Sequence, residues 1–327
     1  MNYIRRLRYE YWPWYLFFIP VLPVCIYWMI RTGKVLYFTA ANPGIYLGGF
    51  FGESKSEILD QIPEKFKPFS RRIKPGDVID KSAFHFPLIL KPDIGERGNG
   101  VQLIKDQNAL NIALGKLSEP HILQQYVNDP IELGVFYYRY PDGSGSGISS
   151  VTLKGMMAVT GDGVSNIEQL MAKDLSSSLQ IHRLRKEKPD LLMEVPALEE
   201  TVLLEPRGNH CLGTEFINAS HLINSHLVAL FDEITAHFEG FYYGRFDVKI
   251  RSTESLEEGN VMIFELNGVS SEPGHIYDKQ YNVLKAYKDV AAHWMIMGKI
   301  SEMNIKRGIK PAPLKLFLNT VIHHFKS

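Results

Sequence analysis

From Tyr11 to Ile30 the chain reads YWPWYLFFIPVLPVCIYWMI, without a charged residue. About twenty uncharged residues are what a bilayer crossing needs, and Trp and Tyr sit at both ends, where the headgroup region favours them. Pro13, Pro20 and Pro23 interrupt a straight helix. Arg5, Arg6 and Arg8 precede the run, and Arg31 and Lys34 follow it, so the flanking charges set no orientation for a single crossing. The aromatic content, and the lack of a small-residue cleavage site, argue against a secretory signal. The pattern is read as a broken, re-entrant or interfacial anchor with both ends cytoplasmic. The alternative is an apolar segment packed on the rest of the protein.

Beyond residue 34, apolar positions come in short runs between turn-forming clusters. VLYFT at 35–39 predicts a strand, and AANPGIYLGGFFGES a flexible glycine-rich loop. SKSEILDQI predicts a helix with Ser54 as N-cap. FPLILK, VQLI, HILQQYV, IELGVFYYRY and VTLKGMMAV predict strands, the first two joined by the glycine loop PDIGERGNG, with PDGSGSGISS as a flexible hairpin tip. QNALNIALGKL predicts a helix. In TGDGVSNIEQLM, Ser165 and Glu168 have the spacing of a capping box. The charged stretch 173–203 predicts helix, as does HLINSHLVALFDEITAHFEG, apolar at helical spacing up to Gly240. A further helix over KQYNVLKAYKDVAAHWMIMGKI and a short apolar one after Pro311 close the chain. Strands and helices without strict alternation predict an α+β fold, with no internal repeat.

Two strand-like runs, GRFDVKI and VMIFELNG, place charge where apolar residues are expected. Period-two alternation puts Arg245 and Asp247 on one side of the first, and Glu265 and Asn267 on one side of the second. A symmetric return through RSTESLEEG, centred near Leu256, sets Asp247 opposite Glu265 and Arg245 opposite Asn267. Facing carboxylates destabilise a sheet unless a cation sits between them. Two carboxylates and an amide suit Mg²⁺ shared with phosphates, so the pair predicts a Mg-nucleotide site with Asp247, Glu265 and Asn267 as ligands.

At 327 residues the chain can bury a core and form two or three subdomains. Its 36 basic and 36 acidic residues cancel, and no basic stripe interleaved with aromatics occurs, which argues against a nucleic-acid partner. Cys25 and Cys211 are the only cysteines, too few for a disulfide framework. No Ser-His-Asp or Cys-His spacing stands out as a nucleophilic set.

LILKPDIGERGNGV ends a strand in Lys91 and puts Gly95, Gly98 and Gly100 in the loop that follows. Glycines let backbone N–H groups converge on an anion, and Lys91 and Arg97 add charge: a phosphate cradle, or an ordinary hairpin turn. The lysine precedes the glycines, so this is not a Walker A loop.

With GRFDV and FELN downstream, the order of parts over 54–287 resembles the ATP-grasp superfamily of carboxylate–amine ligases. GRFDV…FELN is similar to the metal-binding strands of D-alanine–D-alanine ligases, and VTGDGVSNIEQL to the cyanophycin synthetase branch. The resemblance implies an ATP-grasp fold, two α+β subdomains gripping ATP between them. The expected division is an anchor at 1–34, a glycine-rich linker at 35–53, a small subdomain at 54–126 and a large one at 127–327. It implies ATP and two Mg²⁺ ions as cofactors, with Lys91 and Lys55 on the phosphates beside Gly95, Arg97, Gly98 and Gly100. Gln125 and Glu132 stand seven apart, like the family's hinge acid and ribose-binding glutamate, so Gln125 and Tyr126 fall at the adenine hinge and Glu132 at the ribose. Gln125 replaces a carboxylate there. Lys154 is a further phosphate contact and Asn209 a substrate contact.

Arg245 and Lys91 are then the catalytic residues, Arg245 stabilising the reacting carboxyl and phosphoryl oxygens. The sequence departs from the D-alanine ligases in NGVSSEPGHIYD, which is longer and brings Ser271, Glu272, His275 and Tyr277 toward the substrate. It also has the membrane-like segment where that family has a Rossmann-like domain. The implied reaction joins a carboxylate to an amine through an acylphosphate, His275 being either a base for the amine or a polar contact. The competing readings are a tethered ATP-binding module without chemistry, and activation of a carboxylate for another acceptor. The anchor implies a catalytic domain on the inner face of a membrane and a lipid-linked or membrane-inserted substrate admitted past the glycine-rich loop, or else a simple tether for soluble substrates.

Overall fold

A computed structural model describes residues 8–79, 83–95, 98–205, 208 and 212–324. The chain forms two compact units, one from 1–152 with 218–327 and one from Leu153–Ile217. The first opens with α1 (Trp14–Phe18), a 3-10 turn (Ile19–Val21) and α2 (Leu22–Thr32), then passes through 3-10 turns at Tyr37–Ala40 and Tyr46–Gly48 to α3 (Lys55–Asp60). An antiparallel sheet follows: β1 (Ser70–Ile73), β2 (Leu88–Pro92), β3 (Gln102–Ile104), the helix α4 (Gln107–Leu114) and β4 (His121–Gln125). Its strand order is β1-β4-β2-β3. Leu88, Leu90, Ile104, Leu110 and Leu123 form its core.

β5 (Ile131–Arg139) and β6 (Ser146–Gly155) come next, the end of β6 carrying the chain into the second unit. That unit holds β7 (Met157–Thr160), α5 (Ile167–Ala172), α6 (Leu175–Ser178), α7 (Ile181–Glu187), α8 (Pro189–Met193) and β8 (Thr201–Glu205), around a core that includes Met157, Ile167, Met171, Leu184 and Leu204. β9 (Glu215–Asn218) leads back to the first unit and α9 (Ser225–Thr235), β10 (Tyr243–Ile250), α10 (Glu254–Glu257), β11 (Met262–Asn267), α11 (Val283–Lys306) and α12 (Leu314–His324). Within the first unit the second sheet runs β11-β10-β5-β6. The expected α+β class is borne out, and so are the Ser54 cap, whose side chain accepts from Glu57 N–H, and the four strand runs from FPLILK to IELGVFYYRY; VTLKGMMAV, expected as one strand, is divided at Met156 between β6 and β7.

Three further local expectations are corrected. Residues 35–39 form no strand: Tyr37–Ala40 is a buried 3-10 turn held by α11, whose Asn304 amide donates to the Ala40 and Ala41 carbonyls at 2.9 and 3.3 Å. Tertiary contact here overrides the β preference of Val35 and Tyr37. The glycine-rich stretch is not a flexible loop. Asn42 donates to Gly48 O and Tyr243 O at 3.0 and 2.7 Å and accepts from the Tyr242 and Tyr243 N–H groups, while a Cβ on Gly44 would fall 2.1 Å from the Glu239 carbonyl. Those glycines allow backbone to lie on backbone. The capping box belongs to Asn166 and Gln169, one residue on from Ser165 and Glu168. Ser165 instead bonds Asp162, and Glu168 pairs with Arg185.

The N-terminal apolar run breaks where its prolines are. Pro20 and Pro23 sit in the first positions of the 3-10 turn and of α2, where a missing N–H leaves no bond unmade, and Gly33 at φ 65° ends α2. One side packs on α11: Phe17 stacks on Tyr287 at 5.0 Å, Phe18 on Trp294 at 5.7 Å, and Trp28 lies over Gly298. Tyr15–Thr32 is long and apolar enough to cross a membrane by length and composition.

Candidate functional site

β10 and β11 pair in the register the symmetric return requires, Arg245 with Asn267 and Asp247 with Glu265. Beyond that pair the register shifts, Val248 facing Ile263, and Phe264 bulges off the ladder. The connection winds into α10 instead of running straight back.

The protein supplies its own cations to the facing carboxylates. Arg245 Nε donates to Asp247 Oδ1 at 3.1 Å and Nη2 to Oδ2 at 3.4 Å, and Asn267 Nδ2 lies 3.4 Å from the same Oδ2. Burial pulls the Arg245 pKa down, but Asp247, Glu265 and Glu272 outweigh it and raise it. Gly134 faces Asp247 from β5, and a Cβ there would come within 3.3 Å of Arg245 Cδ and 3.5 Å of Asp247 Oδ1. The glycine makes room for the pair.

Lys91 reaches the same place from β2. Its ammonium donates to the Phe264 carbonyl, freed by the bulge, at 2.9 Å, and to Gln124 Oε1 at 3.1 Å. Burial lowers its pKa to about 8, against the pull of Glu265 and Asp247, and Lys55 lowers it further. Sequence reading missed Gln124, whose Nε2 is buried without a hydrogen-bond partner. It also missed Asp93. This buried carboxylate accepts from Ser56 N–H at 2.9 Å and Ser54 Oγ at 3.0 Å and pairs with Arg72 at 3.0 Å, fixing the start of α3 to the glycine loop. Lys55 is drawn to that loop by its own N–H, donated to Asp93 O, and by its ammonium, donated to Gly95 O. Gly98 and Gly100 have φ of 73° and 72°, a left-handed conformation that excludes most side chains. Arg97 and Asn209 lie outside the described residues.

At the expected adenine hinge, the Gln125 side chain accepts from His85 N–H at 3.1 Å and donates to His85 O at 2.7 Å, and its own N–H goes to Phe69 O. Tyr126 N–H goes to Pro87 O, and the Tyr126 ring lies under the Lys249 ammonium. Gln125 thus holds the turn at 85–87. Glu132 is buried on β5 opposite Lys249. Lys154 is buried on β6, in the second unit.

The segment after β11 folds back on Arg245. Ser271 Oγ donates to Gly268 O, the Glu272 carbonyl accepts from Arg245 Nη1 at 3.4 Å, and the Glu272 carboxylate accepts from Tyr277 OH. His275 is buried, with Nδ1 2.7 Å from Ser150 Oγ and Nε2 3.2 Å from Asp289 Oδ2, and burial lowers its pKa. Both ring nitrogens are occupied by partners within the protein, the polar-contact alternative of the two expected for His275. Ser150, His275 and Asp289 form a line that no sequence spacing announces. With Ser150 1% exposed its hydroxyl has no approach for a substrate, and the line anchors the loop.

Among the described residues no group of three or more His, Cys, Asp or Glu is placed to hold a metal. The set on β10 and β11 offers two carboxylates and an amide. Hard oxygen donors few in number suit Mg²⁺, which takes its remaining ligands from water and phosphate.

No protein-family model and no curated protein matches the chain. Solved structures similar to it include D-alanine–D-alanine ligase from Bacillus anthracis, at 12% identity and a TM-score of 0.43 over 84% of this chain and 69% of that one. A bifunctional glutathione synthetase from Pasteurella multocida is 18% identical, with a TM-score of 0.41 over 73% of this chain and 35% of that one. The D-Ala:D-Ser ligase from Enterococcus faecalis is 11% identical, with a TM-score of 0.40 over 77% of this chain and 60% of that one.

Proposed function

We propose that the protein is an ATP-grasp ligase that joins a carboxylate to an amine, converting ATP to ADP and phosphate. The observation that carries the reading is the meeting of Lys91, Arg245, Asp247, Glu265 and Asn267, from two sheets of one unit, in the pairing the motif requires. Asp247, Glu265 and Asn267 would hold Mg²⁺, which when bound neutralises charge on the transferring phosphoryl group.

Lys91 holds a proton at Nζ beside Glu265 and places a positive charge where phosphates bind. A substrate carboxylate oxygen attacks the γ-phosphorus and ADP leaves. The amine nitrogen then attacks the acylphosphate carbon, phosphate departs, and the amine's proton passes to solvent. Arg245, steadied by Asp247 and the Glu272 carbonyl, meets the oxyanion with donors already in place. No side-chain nucleophile is required, in keeping with the closed-off Ser150.

The test is coupled ADP release against panels of carboxylates and amines, in wild type, Asp247→Asn and Glu265→Gln. Amine-dependent turnover is expected in wild type, reduced at least about a hundredfold in both variants. Asp247→Asn also leaves the part-buried Arg245 without its carboxylate, a loss of about 1–3 kcal/mol in stability, whereas Glu265→Gln melts near wild type. Amine-independent turnover points to another acceptor. Nucleotide binding without turnover points to a module, and near-wild-type activity in either variant overturns the metal assignment.

A further inference from the structure

The segment Tyr15–Thr32 is apolar on two opposite faces. Phe17, Val21, Val24 and Trp28 recur at helical spacing, and all face the rest of the protein, Val24 part-buried and the others buried. Tyr15, Ile19, Leu22, Ile26 and Ile30 recur at the same spacing two residues out of step, about 200° round the helix, and are 45 to 77% exposed. A helix packed on a soluble protein presents polar residues on its outer face; this one presents a second apolar stripe.

The inner stripe is fixed. Trp28 fills a notch in α11 that only a glycine leaves open, a Cβ on Gly298 falling 2.3 Å from its ring, and Arg31 pairs with Glu302 at 3.1 Å. Crossing a bilayer would strip that face from α11. The charge at the C-terminal end of the stripe is positive: Glu302 is shared by Arg31 and by Lys306 at 2.9 Å, which leaves one cation in excess, and exposed Lys34 adds another. Tyr15 and Tyr27, both exposed, are side chains suited to the headgroup region.

We propose that this outer stripe docks the protein on an anionic phospholipid surface, lying in the plane of the interface with its other face still packed on α11. Apolar side chains enter the acyl boundary, and Arg31, Lys34 and Lys306 meet the headgroups.

The test is flotation of the full-length protein with phosphatidylcholine vesicles, with and without phosphatidylglycerol. The protein is expected to float with the anionic vesicles, less so as salt rises. Ile26→Glu with Ile30→Glu should lower the bound fraction at least about tenfold. These side chains are exposed, so the melting temperature should not move, and the circular dichroism of the variant should match wild type. Lys34→Glu should weaken the preference for phosphatidylglycerol. A wild-type protein that floats with neither vesicle, or a double variant that floats as well as wild type, overturns the proposal. So does a concentration-dependent dimer that the double variant abolishes while vesicles are ignored, which would give the stripe to a second copy of the chain.

Discussion

Lys91 is held where a lysine's charge is costly, and that cost is its readable property. Its pKa falls from an ordinary 10.5 to about 8 because burial removes water from the ammonium faster than Glu265 and Asp247 replace it. Between those two values the unfolded chain binds the proton that the folded one has lost, so stability rises with pH across that window; below about 8 the cost is fully present. A bound polyphosphate favours the charged form. Nucleotide binding near pH 8.5 should therefore take up a proton, about half to one per site. Titration calorimetry in two buffers of different ionisation enthalpy measures this, and Lys91→Met should abolish the uptake. Uptake unchanged in the variant would take Lys91 out of the phosphate site. At this scale Asp247, Glu265, Asn267 and Arg245 were legible from alternation alone. Gln124, Asp93 and Gly134 were not, since each acts on a residue of another strand or helix and nothing in its own neighbourhood marks it.

Among the elements, the β10–β11 pair was legible down to its register because a hairpin's symmetry is a local property of the chain. The bulge at Phe264 was not, although it frees the carbonyl that receives Lys91. The strand expected at 35–39 failed for the opposite reason: its residues favour extended structure, but Asn304 and Asn42 satisfy the surrounding backbone in turns. Helix α11 carries the third lesson. Gly298 costs it about 1 kcal/mol of helix propensity relative to alanine, yet alanine there should destabilise the protein. The added Cβ falls 2.3 Å from Trp28, and the overpacking should outweigh the propensity gain, with a net loss of about 1–2 kcal/mol. Thermal unfolding checks this. A melting point above wild type would show that α2 is not locked to α11 at that notch.

For the molecule as a whole, the division into units has a direct consequence. The second unit holds its own core, and the cluster around Lys91 and Asp247 lies wholly in the first. Where the chain enters and leaves the second unit, Gly155 and Glu215 are neighbours, a Cβ on Gly155 lying 3.5 Å from Glu215 Cβ. A short turn replacing 156–214 should therefore leave a folded protein. Its calorimetric unfolding enthalpy should be lower by about 40 kcal/mol, at about 0.7 kcal/mol per residue removed. Failure to fold would show the two units to be one cooperative structure.

The sequence by itself determined the α+β class, the strands with a clear period of two, the Ser54 cap, the broken apolar run at its prolines, and the facing carboxylates with their arginine. Each follows from interactions between residues adjacent in the chain or related by one turn, so the local pattern contains the answer. Only the tertiary structure decided that Lys91 meets the hairpin 173 residues away, that Asn42 staples the glycine-rich stretch to Tyr243, and that His275 is closed off between Ser150 and Asp289. It also decided which apolar stripe of the N-terminal segment is buried. Both stripes are apolar and have the same period, and that pattern does not separate them until α11 offers Gly298 to one of them.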